Sequence, residues 1–273
     1  FMSGIPTQAH PEISVLVPVM NEAGNIRPLI DEICEVFAGR AFEIIYIDDA
    51  STDQTGEELR AALADIPQLI VLTHQQRAGQ SAALRSGLGI SKAPLIAVLD
   101  GDGQNIPADF PALEAALQAI RPAQGMAGGV RVNRKDSWFR RRASGFARMM
   151  RRNLLNDSHP DSGCGLKIVD REIFVKLPYF NHMHRFMPSL IVGEGGQALA
   201  VPVGHRPRGA GSSKYGNLDR LLVGIADMFG VIWLLRRRSR AGDISMQQAP
   251  GTTQQARQPQ KKTRRTVKKK THA

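Results

Sequence analysis

The sequence has few of the residues that mark several familiar protein classes. It contains only two cysteines, Cys34 and Cys164, among 273 residues, which excludes a disulfide framework and favours a reducing compartment. Aromatic residues make up 5% of the chain, too few for a surface that stacks nucleic-acid bases. No Gly-x-Gly-x-x-Gly follows the first apolar run, which disfavours a dinucleotide-dependent dehydrogenase.

Long apolar runs are also scarce. The most apolar stretch, residues 218–235, is interrupted by Asp219, Arg220 and Asp227. A helix that crosses a membrane needs about 20 predominantly apolar residues, so we predict no membrane span there. Residues 1–11 lack the basic and then apolar pattern of a signal peptide, and we expect none in this sequence.

The formal net charge of +11 is unevenly distributed. Residues 1–130 carry 7 basic and 16 acidic side chains, residues 131–152 carry 9 basic and one acidic, and residues 236–273 carry 12 basic and one acidic. The first 235 residues are therefore neutral in sum, and the excess lies at the C-terminus. A non-specific nucleic-acid-binding module is one interpretation of such a tail. Because the tail has no aromatic side chain, we favour an anionic membrane surface and expect no specific nucleic-acid partner.

Apolar runs alternate with segments of helical spacing in the first half of the chain. The runs predict four strands: Ile13–Met20, Phe42–Asp48, Leu69–Thr73 and Pro94–Asp100. The segments that follow them predict four helices: Asn25–Phe37, Asp53–Ala64, Gln80–Ile90 and Pro107–Ile120. This alternation predicts an α/β, Rossmann-like fold with a mostly parallel sheet flanked by helices.

The second half is less regular. The predicted elements there are a strand at Gly165–Val169, a short helix at Arg171–Lys176 and an apolar segment at Ala198–Val203. Residues 137–155 combine an apolar helical face with arginines, which indicates either a membrane-surface helix or an ordinary solvated face. We predict three regions: a catalytic domain at 12–217, an amphipathic membrane-interface helix with an arginine cluster at 218–240, and a disordered basic tail at 241–273.

Acidic residues follow three of the predicted strands. Glu22 comes after the first strand, the pair Asp48-Asp49 after the second, and Asp100-Gly101-Asp102-Gly103-Gln104 after the fourth. The carboxyl ends of parallel strands meet at the edge where open α/β sheets bind ligands. Acids crowded there favour a bound cation, and Mg²⁺ or Mn²⁺ often takes one or two carboxylates plus substrate phosphates. A solvated turn is the alternative for Asp100 and Asp102, and Asp48 could simply cap the turn that follows it.

Several motifs, taken in order, resemble a known enzyme group. They are Val17–Glu22, Ile47–Asp53, Gly79–Ala83, Asp100–Gln104, Arg131, Asp161–Gly165, His184–Phe186 and Arg206–Gly216. Together they resemble inverting GT-A glycosyltransferases of the dolichol-phosphate mannose synthase and undecaprenyl-phosphate glycosyltransferase group. The resemblance covers about residues 12–235. It implies a GT-A fold and metal-dependent transfer of a sugar from a GDP- or UDP-linked donor to a polyprenyl phosphate, with inversion.

The resemblance also implies roles for individual residues. Asp100, Asp102 and Gln104 would hold Mg²⁺ or Mn²⁺ on the donor diphosphate. Arg131 and one of Arg141 or Arg142 would meet the acceptor phosphate, and these arginines and Asp102 are the predicted catalytic residues. The predicted substrate-binding residues are Pro18, Glu22, Asp48, Asp49, Gly79, Gln80, Ser81, Asp161, Arg185, Arg208, Ser213 and Lys214.

A phosphate acceptor simplifies the expected chemistry. It is already anionic and needs no strong general base, so catalysis would rest on positioning and charge stabilisation. We expect a peripheral enzyme at the cytoplasmic side of the cell membrane, and the resemblance also allows a homo-oligomer. A glycosyltransferase that acts on another lipid, a glycan or a protein is the alternative. The sugar, the nucleotide, the prenyl length and the choice of cation stay open.

Overall fold

The computed structural model describes residues 10–132, 159–207 and 217–237. A seven-stranded sheet organises them, with the strand order β3-β2-β1-β4-β6-β5-β7. The strands are β1 (Ile13–Val19), β2 (Phe42–Asp48), β3 (Leu69–Thr73), β4 (Leu95–Val98), β5 (Gly125–Arg131), β6 (Lys167–Asp170) and β7 (Gln197–Val203).

The sheet is mostly parallel. β1 runs parallel to β2 and β4, β2 runs parallel to β3, and β5 runs parallel to β7. β6 alone is antiparallel, and it lies between β4 and β5. The carboxyl ends of β1, β2, β4, β5 and β7 therefore share one edge of the sheet with the amino end of β6. We call this edge the carboxyl edge.

Helices cover both faces of the sheet. They are α1 (Ile26–Val36), α2 (Thr55–Ala62), α3 (Gln80–Ile90), α4 (Phe110–Gln118), α5 (Arg171–Phe174), α6 (Met187–Gly193) and α7 (Asn217–Arg236). Successive strand residues point to opposite faces, so Val15 and Val17 of β1 enter one core cluster while Leu16 enters the other. The first cluster includes side chains of α1, α2 and α4, and the second includes side chains of α3, α5, α6 and α7.

The sequence predicted most of these elements. All four strands and four helices of the first half are present, with ends within two residues except that α4 begins at Phe110, after a 3₁₀ turn at Pro107–Asp109. Strand β5 and helix α6 were not predicted. β5 is rich in glycine because neighbours crowd it: a side chain at Gly129 would collide with Val203 and Cys164. Those glycines remove the strand signal that β-branched residues would give.

The last described helix, α7, covers most of the segment 218–240 in which the sequence predicts an amphipathic helix. Met228, Val231 and Ile232 are buried in the second core cluster. Among the described residues, no helix is both long enough and apolar enough to cross a membrane. The predicted boundaries at 217 and 240 stay predictions, and the tail at 241–273 lies outside the described residues.

Candidate active site

The loops after β1, β2 and β4 converge at the carboxyl edge, as the sequence predicted. The main-chain N–H of Asn21 donates to Ser51 Oγ at 2.9 Å, and the N–H of Thr52 donates to Asn21 Oδ1 at 2.7 Å. Gly101 packs so closely on the end of β1 that a Cβ there would lie 3.3 Å from the Pro18 carbonyl oxygen. The loops that follow these three strands, each of which contains acidic residues, are thereby held together.

Asp100 lies in a tightly filled environment. Gln80 Nε2 donates to its Oδ1 at 2.7 Å, and its main-chain N–H donates to Asn105 Oδ1 at 3.1 Å. A Cβ on Gly165 would overlap the Asp100 carboxylate and lie 2.7 Å from Asn105 Oδ1. Burial and the nearby charge of Asp102 raise the pKa of Asp100. A cation beside the two carboxylates would relieve that cost.

The donor set fits a divalent cation that is also bound by a ligand. Asp102 Oδ1 accepts a hydrogen bond from the main-chain N–H of Gln104 at 3.1 Å, so both side chains leave one tight turn. In the described part of the chain, no group of three or more His, Cys, Asp or Glu side chains is placed to hold a metal ion. Two carboxylates and an amide instead match Mg²⁺ or Mn²⁺, which share their coordination with substrate phosphates.

Arg131 brings positive charge to the same edge. As the last residue of β5, it donates from Nε and Nη2 to the two carboxylate oxygens of Asp161 at 2.7 and 2.8 Å. A bidentate pair of this kind fixes the direction of the guanidinium plane. The hydrogen bonds that Arg131 donates to the Asp161 carboxylate raise the pKa of Arg131. The structure therefore brings together two residues that the sequence assigned to substrate binding and catalysis.

Lys167 is a second basic group at this edge, and sequence reasoning missed it. It is the first residue of β6, lies opposite Val98 in the sheet register, and is only 4% exposed. Its ammonium donates to the Cys164 carbonyl oxygen. Burial lowers the pKa of Lys167, while its charge and that of Arg131 act to lower the pKa of Asp100. A lysine inside the apolar segment 165–169 was the signal that could have identified it.

Asp49 organises the loop between β3 and α3. Its carboxylate accepts hydrogen bonds from the N–H groups of Ala78 and Gly79 at 2.8 and 2.7 Å, and it pairs with His74 Nδ1 at 2.8 Å. Burial alone would raise the pKa of Asp49, but these three donors outweigh it, so the pKa is lowered. The donors also fix Gly79, whose φ of +90° favours glycine, at the start of α3.

The first turn of α3 connects the Asp100 region to the turn at 182–185. Ser81 is 1% exposed, and its hydroxyl forms a hydrogen bond with His184 Nδ1 at 2.9 Å. Burial, together with the charges of Lys167 and Arg185, lowers the pKa of His184 to about 3. His184 is therefore neutral at pH 7, and Ser81 faces the protein interior.

The shifted pKa of His184 predicts an acid-sensitive fold. Between its ordinary pKa of 6.5 and about 3, the unfolded chain binds a proton at this site that the folded chain does not, so stability falls as the pH falls. One such group changes the free energy of unfolding by at most about 1.4 kcal/mol per pH unit. We expect the free energy of unfolding, measured by denaturant titrations from pH 7 to pH 5, to fall less steeply with falling pH in His184→Asn than in the wild type. An equal dependence on pH in the two proteins would contradict this assignment.

The remaining predicted residues divide into two sets. In the described part, Asp48 Oδ1 accepts a hydrogen bond from the Ser51 N–H at 2.9 Å, so Asp48 does cap its turn, and Glu22 Oε2 accepts from Asn25 Nδ2 at 3.2 Å. Pro18 lies in β1 beside Ile47. The predicted residues Arg141, Arg142, Arg208, Ser213 and Lys214 lie outside the described residues.

A family model described as Glycosyl transferase family 2 matches residues 14–177. The matched segment is more than half of the chain and begins in β1. The chain belongs to glycosyl transferase family 2. The matched segment contains Asp49, Asp100, Asp102, Arg131 and Lys167, so the part of the carboxyl edge that β1, β2, β4, β5 and β6 form lies within it. The resemblance inferred from the sequence motifs is confirmed, and this chain is a glycosyltransferase.

Several curated relatives of this glycosyltransferase are named for a polyprenyl phosphate. It is 31% identical over 237 residues to the dodecaprenyl-phosphate galacturonate synthase of Rhizobium johnstonii, covering 85% of the chain and 69% of the relative. It is 33% identical over 215 residues to an undecaprenyl-phosphate 4-deoxy-4-formamido-L-arabinose transferase of Yersinia pestis, covering 77% and 64%. The corresponding enzyme of Edwardsiella ictaluri is 31% identical over 208 residues, covering 75% and 63%. The chain thus spans 63–69% of the length of these relatives.

Solved structures confirm the GT-A fold of the glycosyltransferase. A glucosyl-3-phosphoglycerate synthase from Mycobacterium tuberculosis, in complex with Mn²⁺, UDP and glucosyl-3-phosphoglycerate, aligns with a TM-score of 0.64 at 21% identity, covering 83% of this chain and 80% of that one. A mannosyltransferase from Pyrobaculum calidifontis, in complex with GDP-Man and Mn²⁺, aligns with a TM-score of 0.61 at 20% identity, covering 86% and 66%. At this level of identity the likeness shows the fold alone.

Proposed function

We propose that this glycosyltransferase moves a sugar from a GDP- or UDP-linked donor to a polyprenyl phosphate. Three relatives at 31–33% identity are named for polyprenyl-phosphate sugar transfer. The structural observation that supports the proposal is the position of the Asp100 carboxylate at the carboxyl edge. It has Gln80 on one side, Gly165 against it and Asp102 nearby.

The donor diphosphate would lie beside the loop after β4. Asp100, Asp102 and Gln104 would hold Mg²⁺ or Mn²⁺ there, and such an ion neutralises charge on a leaving diphosphate as a Lewis acid. Gln80 orients the Asp100 carboxylate through its 2.7 Å hydrogen bond. Asp49 holds the neighbouring loop in place because its carboxylate accepts hydrogen bonds from the Ala78 and Gly79 N–H groups. Its proposed role in donor binding is therefore to position the loop between β3 and α3.

The acceptor phosphate would approach from the β5 side. Arg131, which Asp161 holds in one orientation, would bind the phosphate as it attacks. The further basic residues proposed for phosphate contact are Arg141, Arg142, Arg185, Arg208 and Lys214, with Ser213 as a hydroxyl donor. Positioning two anionic substrates is the main task of such a site.

The reaction needs few chemical groups from the protein. A phosphate oxygen of the acceptor forms a bond to the anomeric carbon while the bond from that carbon to the donor diphosphate oxygen breaks. The nucleoside diphosphate leaves with the electron pair, and attack from the opposite side inverts the anomeric carbon. Because the attacking oxygen is already anionic, no proton has to be removed, and the catalytic contribution falls to Asp102 and the phosphate-binding arginines.

A membrane surface is the place where a polyprenyl acceptor is found, and we propose that α7 contacts it. Phe229 and Trp233, one turn apart, are 60% and 61% exposed although the opposite side of α7 is buried. The Arg237 guanidinium lies 5.8 Å from the centre of the Trp233 ring. Exposed aromatic residues beside arginines are typical of helices that lie at an anionic lipid interface. Both cysteines are free thiols, which fits the cytoplasmic side.

Replacing both exposed aromatic residues should weaken membrane binding. We expect the Phe229→Ser/Trp233→Ser double variant to bind anionic liposomes at least about tenfold less tightly, because apolar area buried in the lipid interface contributes to affinity. Co-sedimentation with phosphatidylglycerol vesicles measures this. Leu63→Ser is the matched control, since Leu63 is 44% exposed but lies after α2. Equal binding by the double variant and the wild type would remove α7 from the proposal.

A transfer assay tests the function itself. The purified chain, with Mn²⁺ and a panel of labelled UDP- and GDP-sugars, is offered undecaprenyl phosphate, a glycan and a peptide in separate reactions. We expect label to appear in a lipid product from which mild acid releases the sugar. This product should form with only one kind of donor, either the UDP-sugars or the GDP-sugars. Label in the glycan or the peptide, with none in the lipid, would replace this proposal by the alternative acceptor classes. Self-association of the chain stays a prediction.

A further inference from the structure

Arg206, three residues after β7, is bonded to the loop that carries the proposed metal ligands. Its main-chain N–H donates to the Gln104 carbonyl oxygen at 3.1 Å, and its guanidinium donates to the carbonyl oxygens of Gly103 and Asn105. The same guanidinium pairs with both carboxylate oxygens of Glu32 at 2.9 Å. One residue therefore contacts three consecutive carbonyls of the loop and fastens them to α1.

The loop that Arg206 contacts has to hold a difficult conformation. Gly103 has a φ of +72°, so the chain reverses between the side chains of Asp102 and Gln104. The segment that supplies Arg206 is itself anchored, because the Gly204 N–H donates to Asp109 Oδ2 at 2.8 Å. The carbonyl oxygens of the reversed loop are thus tied through Arg206 to α1 and to the segment after β7.

We propose that Arg206 is a positioning residue for the metal site, with Glu32 as the group that holds its guanidinium in place. This inference rests on the proposed function, because it needs Asp102 and Gln104 to bind a cation. It adds two residues, one from the segment after β7 and one from α1, to a site otherwise built from the ends of β1, β2, β4 and β5. Partners that orient metal ligands typically change metal affinity 10- to 100-fold when they are removed.

The ion pair is too exposed to act mainly through global stability. The side chains of Arg206 and Glu32 are 38% and 33% exposed, and pairs of this kind contribute roughly 0–1 kcal/mol to folding. Loss of Arg206 should therefore loosen one loop and leave the remainder of the domain intact. This separates a positioning role from a structural one, because a loosened loop can be compensated by more cation whereas an unfolded chain cannot.

The experiment compares Arg206→Gln, Arg206→Lys and Glu32→Gln with the wild type. Isothermal titration with Mn²⁺, in the presence of UDP and separately of GDP, gives the metal affinity. We expect Arg206→Gln to bind Mn²⁺ about tenfold or more weakly and Glu32→Gln to show a smaller loss. Arg206→Lys should not restore the affinity, since an ammonium cannot reproduce the planar fork. Saturating Mn²⁺ should return kcat for sugar transfer to within about threefold of the wild type, with Tm nearly unchanged.

A matched ion pair at the other edge of the sheet provides the control. Arg40 precedes β2 and pairs with Glu114 of α4 at 2.7 Å, with side chains 31% and 18% exposed. Arg40→Gln should leave the Mn²⁺ affinity at the wild-type value. Wild-type affinity in Arg206→Gln, or an equal loss in Arg40→Gln, would overturn the inference while the proposed function stands. A wild-type chain that binds no Mn²⁺ with either nucleotide would overturn the proposed metal site and this inference with it.

Discussion

Replacing Gly165 by alanine will reduce sugar transfer by about 100-fold or more, since displacing a reacting group by about 1 Å is sufficient for such a loss. The added methyl group would occupy the space of the Asp100 carboxylate and lie 2.7 Å from Asn105 Oδ1. Asp100 would have to leave its position beside Gln80, and Asn105 would release the Asp100 N–H. Transfer rates at several Mn²⁺ concentrations measure the effect.

A second glycine, at which an added methyl group would face open space, provides the control. It separates this local effect from any general effect of replacing glycine by alanine. A Cβ on Gly89, in α3, would meet nothing within 4 Å among the described residues. Gly89→Ala should therefore keep wild-type activity and gain up to about 1 kcal/mol in stability, because alanine is the better helix former. Overpacking at Gly165 should lower stability by about 1–3 kcal/mol, and circular dichroism at the assay temperature verifies that the variant is folded. Wild-type transfer rates in Gly165→Ala would show that Asp100 has no part in the reaction.

Replacing Asp102 by alanine will have the second large effect. Transfer should fall by about 10³-fold or more, because electrostatic stabilisation of a leaving group by preorganised charge is usually the largest single contribution to such catalysis. The residual rate should no longer respond to Mn²⁺. Asp102 lies in the reversed turn with Gln104, so its removal takes away a carboxylate without disturbing the core. The measurement is the initial rate of transfer as a function of Mn²⁺.

Asp65→Ala is the corresponding control. Asp65 is 61% exposed and pairs with Arg27, which is 51% exposed, so the substitution removes a carboxylate of equal charge at the surface. Surface pairs contribute roughly 0–1 kcal/mol, and the transfer rate should be unchanged. An Asp102→Ala variant with the wild-type rate and the wild-type dependence on Mn²⁺ would show that the metal assignment is wrong.

The donor side of the site could be predicted from local sequence because its residues lie at the ends of strands. β1, β2 and β4 are continuous apolar runs, and parallel strands between helices leave their carboxyl ends on one edge. Asp49, Asp100 and Asp102 follow those runs directly, so their convergence required only the strand assignments. The arrangement of the loops after β1 and β2, which Asn21 joins to Ser51 and Thr52, agrees with that expectation.

The residues that could not be predicted depend on contacts distant in sequence. Lys167 stands out as a lysine within an apolar segment, but it reaches the carboxyl edge only because β6 is antiparallel, a direction that its short segment does not indicate. Arg206 contacts Glu32 across 174 positions of sequence, a pairing that no local pattern contains. The partners of Asp49 were likewise hidden, since Ala78 and Gly79 offer main-chain N–H groups whose direction the fold alone determines.

A crystal structure of the chain with Mn²⁺ and a nucleoside diphosphate would show directly whether the loop after β4 binds the metal ion and the donor diphosphate. Anomalous diffraction at the manganese absorption edge locates the ion without reference to the protein model. We expect one strong anomalous peak between the side chains of Asp102 and Gln104, beside Asp100, with the diphosphate oxygens completing the coordination of the ion. A manganese peak elsewhere in the chain, or a diphosphate bound away from the loop after β4, would show that the proposed metal and donor site is wrong.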